Sequence, residues 1–163
     1  MSARAGRALV VGVGNPLRRD DAAGPLAAQR LAAEGIETRA LHQPLPELAA
    51  ELAHVAVVVF VDADRSVAPG AVHVRRIDAR PDAAWSHALS IEAVLALTRA
   101  LAGRAPAAFA VTIGAADLGV GEGLSAPVAA AFETLLARVR ERLDAPLEAE
   151  EDPAVASEVS GDA

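Results

Sequence analysis

Four carboxylates and one histidine have the residue types and the chain positions to form a metal or acid–base site. Asp20 and Asp21 close a short loop after an apolar run with two glycines, and Asp62 and Asp64 end a second apolar run. His87 lies in the segment SHALS, just before an amphipathic stretch. Two carboxylates and one imidazole that leave coordination positions open suit a divalent transition metal. A carboxylate pair can also activate water without a metal.

Each of these side chains also has a purely structural interpretation. Asp20 or Asp21 could cap the helix that starts there, because a carboxylate is favoured at a helix N-terminus. Asp62 could bond loop N–H groups, and His87 could be an ordinary loop histidine. His42 ends the second predicted strand near the same edge of the sheet, and its role stays open.

Several common chemistries are excluded by missing residues. The dinucleotide fingerprint G-x-G-x-x-G would need glycine where Leu17 stands, and a phosphate-binding loop would need a lysine, which this chain lacks. The absence of cysteine removes disulfides, thiol nucleophiles and thiolate ligands. No serine lies in a G-x-S-x-G nucleophile turn.

Length and charge predict one domain with an acidic tail. The chain has 163 residues and a net charge of −7. Seven of the 22 acidic residues and none of the 15 arginines lie in residues 144–163, so the remainder is electrically balanced. We therefore expect a single domain over residues 1–143, a disordered tail over 144–163 and no nucleic-acid partner. No apolar run is long enough to span a membrane and no export signal is recognisable, so we expect a cytoplasmic protein without a membrane partner.

The hydrophobic pattern alternates between strands and helices. Apolar or alternating runs predict strands at 8–13, 37–41, 55–61, 72–77 and 107–113. Helices are predicted from residue 20 or 21 to about 34, at 46–54, at 90–102 and from the capping residue Ser125 to about 143. The third has Ile91, Val94, Leu95 and Leu101 on one face, and the last has Val128, Phe132, Leu135, Val139 and Leu143. This order predicts an α/β fold, a three-layer sandwich around a mostly parallel twisted sheet.

Such a sheet places the candidate residues at one edge. Ligands of open parallel sheets bind beyond the carboxyl ends of the strands, where the strand order reverses. Asp21 follows the first strand and Asp62 follows the third, and His87 precedes a helix. We therefore expect these three to converge, although their wide spacing matches no local metal motif.

The same segments resemble one protein family. Residues 12–21 (GVGNPLRRDD) resemble the opening of the hydrogenase maturation endopeptidases, in which a strand ends in G-x-G-N, followed after four residues by Asp and then Asp or Glu. The resemblance continues through 58–63, through 86–90, and through the strand at 107–115 with Gly-Leu-Ser at 123–125. It covers about residues 7–143.

The resemblance implies a fold, an activity and a set of site residues. The family has an α/β/α sandwich around a five-stranded sheet, and its members remove a C-terminal extension from the nickel-loaded precursor of the [NiFe]-hydrogenase large subunit. The metal-contacting positions of the family, which we also expect to be catalytic, correspond here to Asp21, Asp62 and His87. The expected cofactor is nickel carried by the precursor, and zinc or cadmium can occupy the site in vitro. The expected state is a monomer.

Two departures from the family pattern and two alternative functions accompany this prediction. Where many relatives have glycine after the acid pair, this chain has Ala22, and where many have an Asp-Gly motif after the second strand, it has residues 42–47 (HQPLPE). The hydrogenase served is therefore open. One alternative is a non-proteolytic binding or chaperone module of the same fold. The other is a peptidyl-tRNA hydrolase, but the His-Asn pair of that family is missing and the balanced charge does not favour tRNA.

Overall fold

The computed structural model describes residues 6–81 and 89–145 and contains a five-stranded sheet between two helical layers. The strands are β1 (Ala8–Val13), β2 (Thr38–Leu41), β3 (Val57–Asp64), β4 (Val72–Ile77) and β5 (Ala107–Gly114). The helices are a 3₁₀ turn (Arg19–Ala22), α1 (Ala23–Ala33), α2 (Leu48–Leu52), α3 (Ile91–Ala102) and α4 (Ala126–Asp144). No helix in the described ranges is long and apolar enough to cross a membrane.

The sheet has the strand order β2-β1-β3-β5-β4, and β4 alone runs antiparallel. The predicted three-layer α/β fold is therefore confirmed, with β4 at an edge as its alternating sequence indicates. From β1 the chain moves outward to β2 and then returns past β1 to β3, so the strand order reverses between β1 and β3. This is the place where a parallel sheet opens a ligand crevice.

Two apolar layers hold the sheet between the helices. One face of the sheet, which includes Val10 of β1 and Val59 of β3, packs against α1 and α4. The other face, which includes Val11 and Phe60, packs against α2 and α3. The five predicted core residues of α4 are all buried. Leu101 was expected on the buried face of α3, but it is 66% exposed, because the buried stripe of this helix ends at Thr98.

Close backbone contact sets the position of α1 at the reversal point. A Cβ atom on Gly24 would lie 2.4 Å from the carbonyl oxygen of Val13 and 2.5 Å from that of Val61. The first turn of α1 therefore rests directly on β1 and β3, at a distance that excludes any side chain. This contact places the residues just before α1, including the acid pair, over the ends of the two strands.

Three boundaries differ from the prediction. The first helix begins as a 3₁₀ turn, α2 is shorter than expected, and β3 continues through Asp62 to Asp64 because it pairs with β5 as far as Gly114. Asp62 therefore lies within the strand. Residues 146–163 lie outside the described residues, so the disordered tail stays a prediction.

Candidate functional site

Asp21 lies in the 3₁₀ turn above the end of β1. Its Oδ2 accepts a hydrogen bond of 2.7 Å from the backbone N–H of Asn15. Gly14 makes this approach possible, because it has φ 145° and because a Cβ there would lie 2.0 Å from the carbonyl oxygen of Asp21. The glycine-rich loop that the sequence shows is thus folded around a carboxylate instead of a phosphate.

Asp62 lies on the neighbouring strand and is half-buried. Its Oδ1 accepts a hydrogen bond of 2.8 Å from the N–H of Ala63. Burial raises the pKa of Asp62 to about 7, and the negative charges of Asp21 and Asp64 also raise it, against the opposing effect of the Ala63 N–H. Asp21 follows β1 and Asp62 lies near the end of β3, the parallel strand paired with β1, so both residues lie at the same edge of the sheet.

Asp20 has a different role from the one expected. The residue at the N-cap position of α1 is Ala22, with no side-chain cap, so neither acid caps that helix. Asp20 is instead completely buried. Its Oδ2 accepts bonds from the N–H groups of Ala116 and Asp117, at 2.8 Å each, and from the Ser125 hydroxyl at 2.7 Å. Its Oδ1 accepts a bond of 2.7 Å from the Ser125 N–H.

These four bonds join the 3₁₀ turn that contains Asp20 and Asp21 to the segment after β5. We call this arrangement the Asp20 clamp. Burial alone would raise the pKa of Asp20, but the hydrogen bonds from Ser125, Asp117 and Ala116 outweigh it and hold the pKa below its usual value, so the group is ionised at neutral pH. Ser125 is the N-cap residue of α4 as predicted, but its hydroxyl bonds Asp20 and makes no cap bond of its own. Sequence reasoning missed this clamp, although Gly-Leu-Ser at 123–125 belonged to the family resemblance.

The remaining candidates fall outside this pair. His87 lies outside the described residues, so its place at the site stays a prediction. Asp64 bonds the N–H and hydroxyl of Ser66 and stabilises a turn. His42 is exposed at the end of β2, next to Leu41, whose carbonyl oxygen accepts a bond from Gly14.

The described carboxylates fit part of a metal site. Within residues 6–81 and 89–145, no group of three or more histidine, cysteine or acidic side chains could hold a metal ion. Asp21 and Asp62 nevertheless provide two oxygen donors whose like charges repel, and a cation between them would relieve that repulsion. Asp21 and Asp62 thus offer hard oxygen ligands, and His87 is predicted to add a nitrogen.

The raised pKa of Asp62 predicts that stability falls as pH rises. The folded protein binds this proton up to about pH 7, whereas the unfolded chain releases it near pH 3.8, so the folded state loses relative stability over the interval between them. The asparagine variant has no such proton to lose. We therefore expect the free energy of unfolding of Asp62→Asn, measured relative to that of the wild type, to be about 2–3 kcal/mol higher at pH 8 than at pH 5. Urea unfolding of both proteins at several pH values measures this difference. A difference that is independent of pH would contradict it.

The fold and site together define a three-layer α/β protein with a carboxylate pair at its topological switch point. Among solved structures, the protein is similar to the hydrogenase-maturating endopeptidase HybD from E. coli, with 26% identity, a TM-score of 0.68, and coverage of 82% of this chain and 89% of that one. It is also similar to the [NiFe] hydrogenase maturation proteases HybD and HycI from Thermococcus kodakarensis. The similarity to HybD has 23% identity and a TM-score of 0.65, and it covers 83% of this chain and 97% of that one. The similarity to HycI has 23% identity and a TM-score of 0.67, and it covers 86% of this chain and 94% of that one.

The family resemblance drawn from the sequence is therefore confirmed by the structural neighbours. The chain resembles the hydrogenase maturation endopeptidases over most of its length, and the endopeptidase prediction agrees with them. No family model matches the sequence, and no curated protein sequence matches it.

Proposed function

We propose that this protein is an endopeptidase that removes the C-terminal extension from the nickel-loaded precursor of a [NiFe]-hydrogenase large subunit. The observation that carries this proposal is the fold shared with maturation endopeptidases, supported by the position of Asp21 after β1 and of Asp62 near the end of the adjacent strand β3. A monomer that acts in the cytoplasm is part of the same proposal.

The proposed nickel arrives with the substrate. The enzyme has no cysteine, and its oxygen ligands alone do not favour nickel over other divalent metals. Cysteine thiolates of the precursor would complete the ligand shell together with Asp21, Asp62 and His87. Neither partner then has a full site alone, and the enzyme distinguishes loaded from unloaded precursor by the ligands that it contributes.

The two carboxylates have separable tasks in this proposal. The carboxylate of Asp21 is held by the Asn15 N–H, so its position beyond the end of β1 is fixed. Asp62, with a pKa of about 7, is partly protonated in the free protein at neutral pH. Contact with a cation favours the ionised carboxylate, so docking of a loaded precursor releases this proton. Proton release on docking thus accompanies metal recognition.

The decisive experiment compares nickel-loaded and metal-free precursor. We expect purified protein to shorten the loaded large subunit and to leave the metal-free form intact, because the latter lacks the cation that draws the two partners together. The size of the large subunit, followed by gel electrophoresis and mass spectrometry, measures this. Cleavage of the metal-free form at a comparable rate would refute the metal-bridged site. Cleavage of neither form would favour the binding or chaperone alternative.

A further inference from the structure

Two loops beside the acid pair are joined into one short ribbon, which consists of residues 15–19 and 117–121. Arg19 N–H donates to the carbonyl oxygen of Gly121 at 3.0 Å, and Gly121 N–H donates to that of Leu17 at 2.9 Å. The Nε of Arg18 also bonds the carbonyl oxygen of Leu118 at 3.1 Å. The ribbon is thus held by the backbone and by an arginine side chain.

The ribbon displays two large apolar side chains to solvent. Leu17 is 59% exposed and Val120 is 87% exposed. Arg18 and Gly121 are paired in parallel, so the residues that precede them, Leu17 and Val120, are neighbours across the ribbon. Of the four exposed large hydrophobic residues that the described ranges contain, two therefore lie side by side next to Asp21.

The buried Asp20 clamp makes this surface rigid. Asp20 directly follows residues 15–19 of the ribbon, and its N–H donates to the carbonyl oxygen of Asp117. Its carboxylate accepts hydrogen bonds from Ala116 and Ser125. Two apolar side chains on a preorganised backbone lose little conformational entropy when they are covered, which favours binding.

We propose that Leu17 and Val120 form the docking surface for an apolar segment of the protein substrate next to the bond that is cleaved; this rests on the proposed endopeptidase function. Leu17 and Asp21 both lie in the segment between β1 and α1, and the Asp21 N–H bonds the carbonyl oxygen of Arg18, the residue after Leu17, at 3.0 Å. We therefore expect a polypeptide that presents a bond to Asp21 to pass over the ribbon. Two side chains supply far less than the ~800 Å² per partner of a stable protein interface, so this surface fits a peptide segment and not a second copy of the chain.

The test replaces the apolar surface and leaves the carboxylates untouched. We expect the double variant Leu17→Ser/Val120→Ser to raise KM for the nickel-loaded precursor about 10-fold or more, with kcat within about twofold of the wild type. The matched control is Leu101→Ser, which removes an equally exposed leucine from α3 and should leave both constants unchanged. Thermal unfolding confirms that all variants are folded.

Calorimetric binding of the same precursor separates this inference from the proposed function. A weaker Kd in the double variant, without cleavage by the wild type, would refute the endopeptidase and keep the docking surface. Cleavage and binding by the double variant at wild-type KM and Kd would overturn the docking surface. A wild-type dimer that the double variant converts to a monomer in sedimentation would also overturn it, because the occupant would then be a second copy.

Discussion

Replacing Asp21 with asparagine is expected to reduce precursor processing by at least about 100-fold while the protein stays folded. The asparagine oxygen can still accept the bond from the Asn15 N–H, so the turn keeps its contact. What is lost is one full negative charge beside Asp62, and a neutral amide is a poor partner for a divalent cation. We expect the free energy of unfolding to change by no more than about 1 kcal/mol. Processing assays and urea unfolding of the same preparation measure both quantities.

The control for Asp21 is an acidic residue of the same type away from the crevice. Asp78 follows β4, and its side chain is highly exposed with a weak ion pair to Arg76 at 3.9 Å. Asp78→Asn should leave processing and stability unchanged. Normal processing by Asp21→Asn would remove this carboxylate from the site, whatever the stability of the variant.

Replacing Asp20 should affect folding first. Asp20→Ala leaves three buried or half-buried N–H groups and one hydroxyl without their acceptor, and Asp20→Asn turns an amide NH₂ toward groups that already donate. We expect either change to lower the free energy of unfolding by about 3–5 kcal/mol, since each lost bond to a charged group contributes about 1.5–3 kcal/mol before relaxation. This exceeds the 0.5–2 kcal/mol of a lost helix cap, which the sequence suggested.

A second variant separates the clamp from a general effect of burial. Ser125→Ala removes only the hydroxyl bond and keeps the Ser125 N–H bond to Asp20, so we expect a smaller loss of about 1 kcal/mol. Ser125→Thr keeps the hydroxyl and should restore stability. Urea unfolding measures the series, and a loss below about 1 kcal/mol for Asp20→Asn would mean that the four bonds do not hold the loops together.

The fold was readable from the sequence because its signals are local. Continuous apolar runs predicted the buried parallel strands, alternation predicted the edge strand β4, and helical periodicity predicted α4 with its buried face. The placement of Asp21 and Asp62 at one edge of the sheet followed from topology, because the carboxyl ends of neighbouring parallel strands share one edge.

The clamp and the ribbon were not readable because their partners are distant in sequence. Asp20 bonds residues 96 to 105 positions away in the sequence. Most of those donors are backbone N–H groups, which nearly every residue has, so the residue types do not identify them. Two adjacent aspartates look equivalent in a sequence. Burial separates them, since Asp20 is completely buried and fully bonded whereas Asp21 is only half-buried.

The long reach of Asp20 also has a consequence for synthesis of the protein. Residues 8–64 contain the acid pair and the first three strands, and they leave the ribosome well before Ser125 does. Until residues 116–125 are available, the carboxylate of Asp20 lacks its four donors and the turn that carries Asp21 lacks its anchor. A nascent chain therefore cannot have a finished site. The turn that carries Asp21 is therefore anchored only when the chain has reached the start of the last helix.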